Sequence, residues 1–253
     1  MKQSEKPARA APLLAALLLG GLAVASAFYF RSYEAQTAPS LLASDALVRV
    51  EKGGYGLAFL PAAGAKRLGL AFYPGARVPP EAYAYLARAL AAQGYPTVLL
   101  STPLNFAVFA PGKAGAAVRA FPEVGAWVLG GHSLGGAMAA ARAAKAPGSA
   151  AGLLLLAAYP GGGADLSGSG LPVLSVSATN DGLATPAKVQ AARSLLPPGA
   201  RHVVLAGGNH AQFGEYGSQA GDGTAELPAA AQRRAVVQEA AGFLGAVLAA
   251  VRP

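Results

Sequence analysis

The chain has 253 residues, 53% of them apolar and only 13% charged, with 33 Gly and 19 Pro. That length suits one or two domains, and α/β folds of this size often form one; the balance supplies a sizeable core and excludes a collagen-like, coiled-coil or disordered chain. There is no Cys, which removes disulfides, Cys-ligated zinc, iron–sulfur clusters and a Cys nucleophile together, and the charge of +8 is scattered, with no basic patch interleaved with aromatics, so nucleic-acid binding is not expected.

Residues 10–30 carry no charge, and as a helix they would span about 31 Å, roughly one hydrocarbon core. Lys2, Lys6 and Arg9 precede them, while Arg31 and Glu34 nearly cancel behind them. The positive-inside rule then places the N-terminus in the cytoplasm and the rest of the chain outside. Two readings compete: a retained signal anchor, or a signal peptide cleaved near Ala27, where Ala25-Ser26-Ala27 fits a small-x-small site. The apolar stretch runs on through Phe28-Tyr29-Phe30, which favours the anchor. The membrane is thus an expected partner through residues 10–30, and secretion is the alternative.

Residues 31–45 are polar and small and read as a linker to one domain over 46–253. Strand candidates follow at 46–51, 55–60, 68–73, 97–101, 126–130, 153–157, 173–177 and 202–206. Most are short continuous apolar runs, as strands buried on both faces should be. The first two alternate more and suggest an antiparallel hairpin across Gly53-Gly54. Helical patterns lie between them: Tyr83, Leu86, Ala87 and Leu90 recur at helical spacing, residues 134–145 are dominated by Ala, and residues 186–196 begin at Pro186 with Thr185 as the cap. On the last helix, Val236, Ala240, Phe243, Leu244, Val247, Leu248 and Val251 form an apolar stripe read as core. Alternating strands and helices predict a mostly parallel sheet of about eight strands covered on both faces, with a minimal lid. Only the loops at 102–112 and 158–171 are long enough to build one.

The segment Gly130-Gly131-His132-Ser133-Leu134-Gly135-Gly136 carries the chemistry. Gly131-x-Ser133-x-Gly135 fits a nucleophile elbow, in which a serine projects from a sharp strand-to-helix turn. Glycines two before and two after remove side chains that would collide with the neighbouring strand and helix, and the helix dipole favours negative charge developing at the serine. In so Gly-rich a chain the pattern alone is weak. The apolar strand before it and the helix after it give it weight. A dinucleotide GxGxxG and the Lys-Ser/Thr ending of a phosphate loop are both absent, so nucleotide binding is disfavoured.

A serine hydroxyl needs a base, and the chain has three His. His132 adjoins the serine with its side chain expected to point away, and His202 lies within a strand. His210 follows that strand in the loop 207–214, on the rim where parallel strands end and where Ser133 also lies. The imidazole in turn needs an acid. Asp181, just past the strand at 173–177, shares that rim; Asp165 is the runner-up, Asp45 lies too early and Asp222 beyond the His. Oxyanion donors are expected from the N–H of Leu134 and from the loop after the third strand, where Pro74 has no N–H and Gly75 or Ala76 must serve, Ala76 being preferred. Tyr73, Asn105 and Phe106 are the candidate substrate contacts, and the loop 103–109 is expected to line an acyl pocket.

The order Ser133, Asp181, His210, together with Phe72-Tyr73-Pro74-Gly75, residues 130–136, Asp181-Gly182, and residues 207–214 with Tyr216-Gly217, resembles the α/β-hydrolase superfamily over roughly residues 46–250. More narrowly the chain is similar to small bacterial α/β-hydrolases of the dienelactone-hydrolase-like group. The resemblance implies the eight-stranded sheet, the Ser-His-Asp triad and hydrolase activity, without fixing a substrate. Dienelactone hydrolases use a Cys nucleophile; Ser133 in that place favours ordinary esters. The expectation is a serine hydrolase of small carboxylic esters that needs no metal or organic cofactor. Acyl transfer, thioester or peptide cleavage on the same triad, or a membrane-tethered binding protein without activity, are the alternatives.

Overall fold

The structure, a computed structural model, describes residues 31–161 and 163–251. The candidate membrane segment at 10–30 and the possible cleavage site near Ala27 lie outside the described residues.

Strands β1 (Val48–Gly53) and β2 (Gly56–Pro61) form the expected hairpin, with Gly53 opposite Gly56. Then come β3 (Leu68–Tyr73), α1 (Ala84–Ala92), β4 (Thr97–Leu100), α2 (Ala114–Ala120), β5 (Ala126–His132), α3 (Leu134–Lys145), β6 (Gly152–Leu156), β7 (Val173–Ala178), α4 (Pro186–Ala191), β8 (Arg201–Leu205) and α5 (Ala229–Val251). The eight strands form one sheet in the order β1-β2-β4-β3-β5-β6-β7-β8, parallel from β4 onward, with β2 antiparallel to both its neighbours. All eight sequence-predicted strands are present. β2 is buried along its whole length instead of alternating, because Leu57 and Phe59 enter one core and Ala58 and Leu60 the other.

Period-two side-chain direction divides the apolar runs between two cores. Leu70, Phe72, Leu99, Val128, Leu154 and Leu156 face α1, α4 and α5, while Ala71, Tyr73, Val98, Leu100, Leu129 and Leu155 face α2 and α3. This is why the sequence reads as unbroken apolar runs: each side of the sheet has its own helix layer. Thr185 caps α4 as predicted, its hydroxyl accepting from the Lys188 N–H at 3.4 Å, but the helix tightens to a 3₁₀ turn after Ala191. By length and composition α5 could cross a membrane, yet its stripe from Val236 to Val247 is buried in the core, as the sequence reading expects.

Residues 33–45 differ from the predicted linker. They dock along the domain from the sheet's C-terminal rim down the length of α1. The Tyr33 N–H donates to the Arg77 carbonyl at 2.8 Å and the Gln36 N–H to the Glu215 carbonyl at 2.7 Å. Thr37 Oγ1 donates to the Glu81 carbonyl at 2.8 Å, and Arg88 holds the Leu41 carbonyl and the Asp45 carboxylate at 3.2 and 3.1 Å. Few apolar side chains take part, so hydropathy patterning gives no sign of this strap.

Candidate active site

The parallel strands end on one rim, and the register sets Tyr73 of β3 beside Gly131 of β5. There the chain turns abruptly from β5 into α3. Ser133 sits in the turn at φ 52° and ψ −125°, a region that costs a non-Gly residue about 1–3 kcal/mol. The surroundings hold it there: its N–H donates to the Leu156 carbonyl at 3.0 Å, and its carbonyl accepts from the Ala137 N–H at 3.1 Å. The neighbouring glycines are required by space. A Cβ on Gly131 would lie 2.4 Å from the Gly135 carbonyl carbon, and one on Gly135 would lie 2.2 Å from the Tyr73 carbonyl oxygen. The second contact shows how tightly the loop after β3 crosses the start of α3.

His210 follows β8, and its Nδ1 lies 2.9 Å from Asp181 Oδ2, both side chains being buried. Asp181 Oδ1 accepts from the N–H groups of Leu183 and Ala184 at 2.8 and 2.7 Å, which fixes the carboxylate against the ring. The far nitrogen, Nε2, is buried and has no partner among the described residues. Ser133 is half-buried and makes no side-chain hydrogen bond to it in this structure. Asp165 is exposed, accepts from the Ser167 N–H at 2.9 Å and is not brought to His210. His202 stays within β8, half-buried, away from the rim loops.

Two residues that hold the His210 loop escape sequence reasoning. Asp222 Oδ1 accepts from the N–H groups of His210, Gly182 and Gly223 at 3.1, 3.2 and 2.8 Å, and its Oδ2 from Ala211 at 2.8 Å. It therefore ties the loop bearing His210 to the loop bearing Asp181. Gln232 of α5, fully buried, accepts from the Asn209 N–H at 3.1 Å and donates to the Asn209 carbonyl at 2.8 Å.

His132 points away from α3, as predicted, but into the layer beneath His210. Its ring centre is 4.5 Å from that of His210. The Tyr83 hydroxyl accepts from the Gly75 N–H at 3.1 Å and lies 2.8 Å from His132 Nδ1. Burial keeps that phenol protonated, and the His132 imidazole pairs with it through Nδ1. Burial first, and the neighbouring His210 second, hold the His132 imidazole well below its ordinary pKa.

These contacts settle where the remaining candidates lie. The Gly75 N–H donates to the Tyr83 hydroxyl, whereas the Ala76 N–H has no partner among the described residues. The Leu134 N–H opens α3, where the first turn leaves donors free. Tyr73 is fully buried on the α3 face; its hydroxyl donates to the Pro111 carbonyl at 2.7 Å and accepts from the Ala114 N–H at 3.0 Å. It pins the segment before α2 and is not a substrate contact. Asn105 and Phe106 are half-buried; the Asn105 carbonyl accepts from the Arg77 N–H at 2.8 Å, which ties the loop after β4 to the loop after β3.

A cleft of about 290 Å³ opens beside the serine, lined by Ser133, Leu134, Ala137, Ala158, Tyr159 and Leu183 among others. The loop 103–109 does not line it, contrary to the sequence expectation: Leu104, Val108 and Phe109 face outward, 57%, 42% and 53% exposed. Among the described residues no group of three or more His, Asp or Glu side chains could hold a metal ion.

The fold has close counterparts among solved structures. A predicted CIB-like hydrolase from Thermoplasma acidophilum superposes with a TM-score of 0.57 at 14% identity, over 78% of this chain and 98% of that one. A dienelactone hydrolase from Anabaena variabilis gives 0.57 at 18% identity, over 79% and 98%. A thermophilic esterase from Thermogutta terrifontis, bound to butyrate, gives 0.57 at 13% identity, over 79% and 94%. At such identities the likeness is one of fold. No curated protein sequence matches the chain significantly. The sequence itself matches the model of the alpha/beta hydrolase family over residues 69–234, more than half its length. With the eight-stranded sheet and the strand-to-helix serine turn in place, the chain belongs to the α/β-hydrolase family.

Proposed function

We propose that the chain is a serine hydrolase of carboxylic esters, held at a membrane by residues 10–30. One observation carries the catalytic reading: the buried His210–Asp181 pair, at 2.9 Å, presents an unpartnered Nε2 on the rim where Ser133 projects from its strained turn. In this reading Ser133 Oγ attacks the acyl carbonyl while His210 Nε2 takes its proton. Asp181 keeps the proton of Nδ1 in place and stabilises the imidazolium. The N–H groups of Leu134 and Ala76 receive the oxyanion. Collapse of the tetrahedral adduct expels the alcohol, which takes the proton from Nε2 and leaves an acyl-serine. Water, deprotonated by the same nitrogen, then releases the acid. The Ser133–His210 hydrogen bond closes as substrate fills the cleft, since such contacts are often loose without it.

The uncharged run of residues 10–30 supports tethering, with the catalytic domain outside the cytoplasm. Release by cleavage near Ala27 would give a secreted form, and N-terminal sequencing of the native protein separates the two. A panel of p-nitrophenyl esters of graded chain length, with thioester and anilide analogues and added acyl acceptors, tests the reaction class. Ester turnover that falls about 10³-fold or more in Ser133→Ala supports the reading. Turnover that survives the change, or that is confined to thioesters or amides, overturns it.

A further inference from the structure

Three apolar side chains of the loop 103–109 stand out toward solvent. Leu104, Val108 and Phe109 are 57%, 42% and 53% exposed, and Val118 of α2 adds a fourth apolar residue at 41%. The Phe106 and Phe109 rings lie 5.8 Å apart. The loop also adopts left-handed backbone at two non-Gly residues, Leu104 at φ 53° and Asn105 at φ 56°. Such strain is kept where the surroundings fix a protruding conformation. The cleft beside Ser133 does not use these side chains.

The strap starts from the same rim. Tyr33 is fixed to the rim on both sides: its N–H donates to the Arg77 carbonyl at 2.8 Å, its hydroxyl accepts from Arg77 Nη2 at 2.8 Å, and its ring lies 5.1 Å from that of Tyr216. Arg77 in turn donates its N–H to the Asn105 carbonyl at 2.8 Å, next to Leu104. Between Phe30, the end of the uncharged run, and Tyr33 stand only Arg31 and Ser32. The uncharged run thus ends two residues short of the residue that is fixed to the rim, and residues 33–45 run from there along α1 before β1 begins.

We infer that the exposed face of Leu104, Val108, Phe109 and Val118 is a bilayer-contacting surface, and that the enzyme draws its ester from the lipid interface. The inference rests on the serine-hydrolase reading and on retention of residues 10–30. Apolar side chains inserted at the headgroup boundary gain the burial they lack in the domain. Lys113 and Arg119, flanking Val118 in sequence, suit an anionic surface. The Ser133 cleft, on the same rim, then opens toward lipid, where a lipid ester can enter acyl end first without leaving the membrane.

The absence of Cys permits a direct test. The full chain, residues 1–30 retained, is reconstituted in phosphatidylcholine vesicles with a minority of phosphatidylglycerol and brominated acyl chains. Single variants Leu104→Cys, Phe109→Cys and Leu47→Cys each carry an environment-sensitive fluorophore. Leu47, 65% exposed at the start of β1, is the control at the opposite end of the sheet. Quenching by brominated lipid of about twofold or more at 104 and 109, with none at 47, is the expected result. Equal quenching at all three, or none at any, overturns the inference. The ratio of turnover on a vesicle-borne diacylglycerol to turnover on soluble p-nitrophenyl butyrate should fall about tenfold in the triple variant Leu104→Ser, Val108→Ser, Phe109→Ser; an unchanged ratio overturns it too. Quenching requires no catalysis. If Ser133→Ala hydrolyses the soluble ester as well as wild type, the hydrolase reading fails while the membrane contact stands on the quenching pattern.

Discussion

The rings of His132 and His210 lie 4.5 Å apart between centres, yet only His210 meets a carboxylate. The two imidazoles are thereby given different work. His132 is neutral, hydrogen-bonded through Nδ1 to Tyr83, and forms part of the floor on which His210 rests. The Tyr83 hydroxyl also takes the Gly75 N–H, so one buried chain of contacts joins the loop after β3 to the histidine of the loop after β8.

That neutrality has a consequence for stability. The folded protein holds the His132 pKa down, while the unfolded chain has an imidazole with an ordinary pKa of about 6.5. Below that pH the unfolded state binds a proton that the folded state does not, so stability falls as pH falls and levels off above about 6.5. The slope from this group is at most about 1.4 kcal/mol per pH unit. His202, also held down by burial and by Arg193, adds a smaller part because it is half-exposed. Urea melts of wild type and His132→Asn between about pH 5 and 7.5 should show a shallower slope in the variant. The same slope in both contradicts a neutral buried His132.

Replacing acids one at a time separates orientation from support. Asp181→Asn should lower kcat by about 10³–10⁴, because the amide no longer fixes the Nδ1 proton of His210. Asp165→Asn should leave kcat within about twofold, since that carboxylate only closes its own surface turn. Asp222→Ala removes the acceptor for four backbone N–H groups and should lower kcat about 10–100-fold while also destabilising the fold by about 1–3 kcal/mol. Steady-state kinetics beside chemical denaturation checks all three. Greater harm from Asp165→Asn than from Asp181→Asn would contradict the assignment.

Gly135→Ala tests the packing of the elbow. Its Cβ would meet the Tyr73 and Pro74 carbonyl oxygens at 2.2 and 2.3 Å. Both are backbone atoms and cannot swing aside, so the loop after β3 must lift from α3. The expected result is a loss of about 1–3 kcal/mol and a fall of about 100-fold in kcat as the Ala76 N–H moves from the oxyanion position. Gly242→Ala, with open space around the added methyl, is the control and should be neutral or slightly stabilising. Equal behaviour of the two variants would show that the elbow is not sterically closed.

The strands and the elbow were legible in the sequence because both are local. An apolar run bounded by turn residues marks a strand, and Gly131-x-Ser133-x-Gly135 names its own steric requirement. Asp181 and His210 followed from their places after β7 and β8, since parallel strands deliver their ends to one rim. What stayed hidden depends on partners distant in the chain. Asp222 looks irrelevant after His210 in sequence order, yet a returning loop brings it back beneath the His210 backbone. Tyr73 looks like a rim residue, but the strand's alternation turns its hydroxyl to the segment before α2. The strap at 33–45 is held mainly by backbone carbonyls and Arg88, which leave no hydropathy pattern. The loop at 103–109 is apolar, and apolarity alone does not distinguish an inward face from an outward one.

Everything catalytic in this reading turns on Ser133 as a nucleophile activated by His210. Labelling with a fluorophosphonate, read by intact mass and peptide mapping, tests it most directly. One adduct per chain is expected, located on Ser133, absent from Ser133→Ala and at least about 10²-fold slower to form in His210→Ala. Labelling of Ser133→Ala to the same extent, or no labelling of the folded wild-type protein, would contradict it.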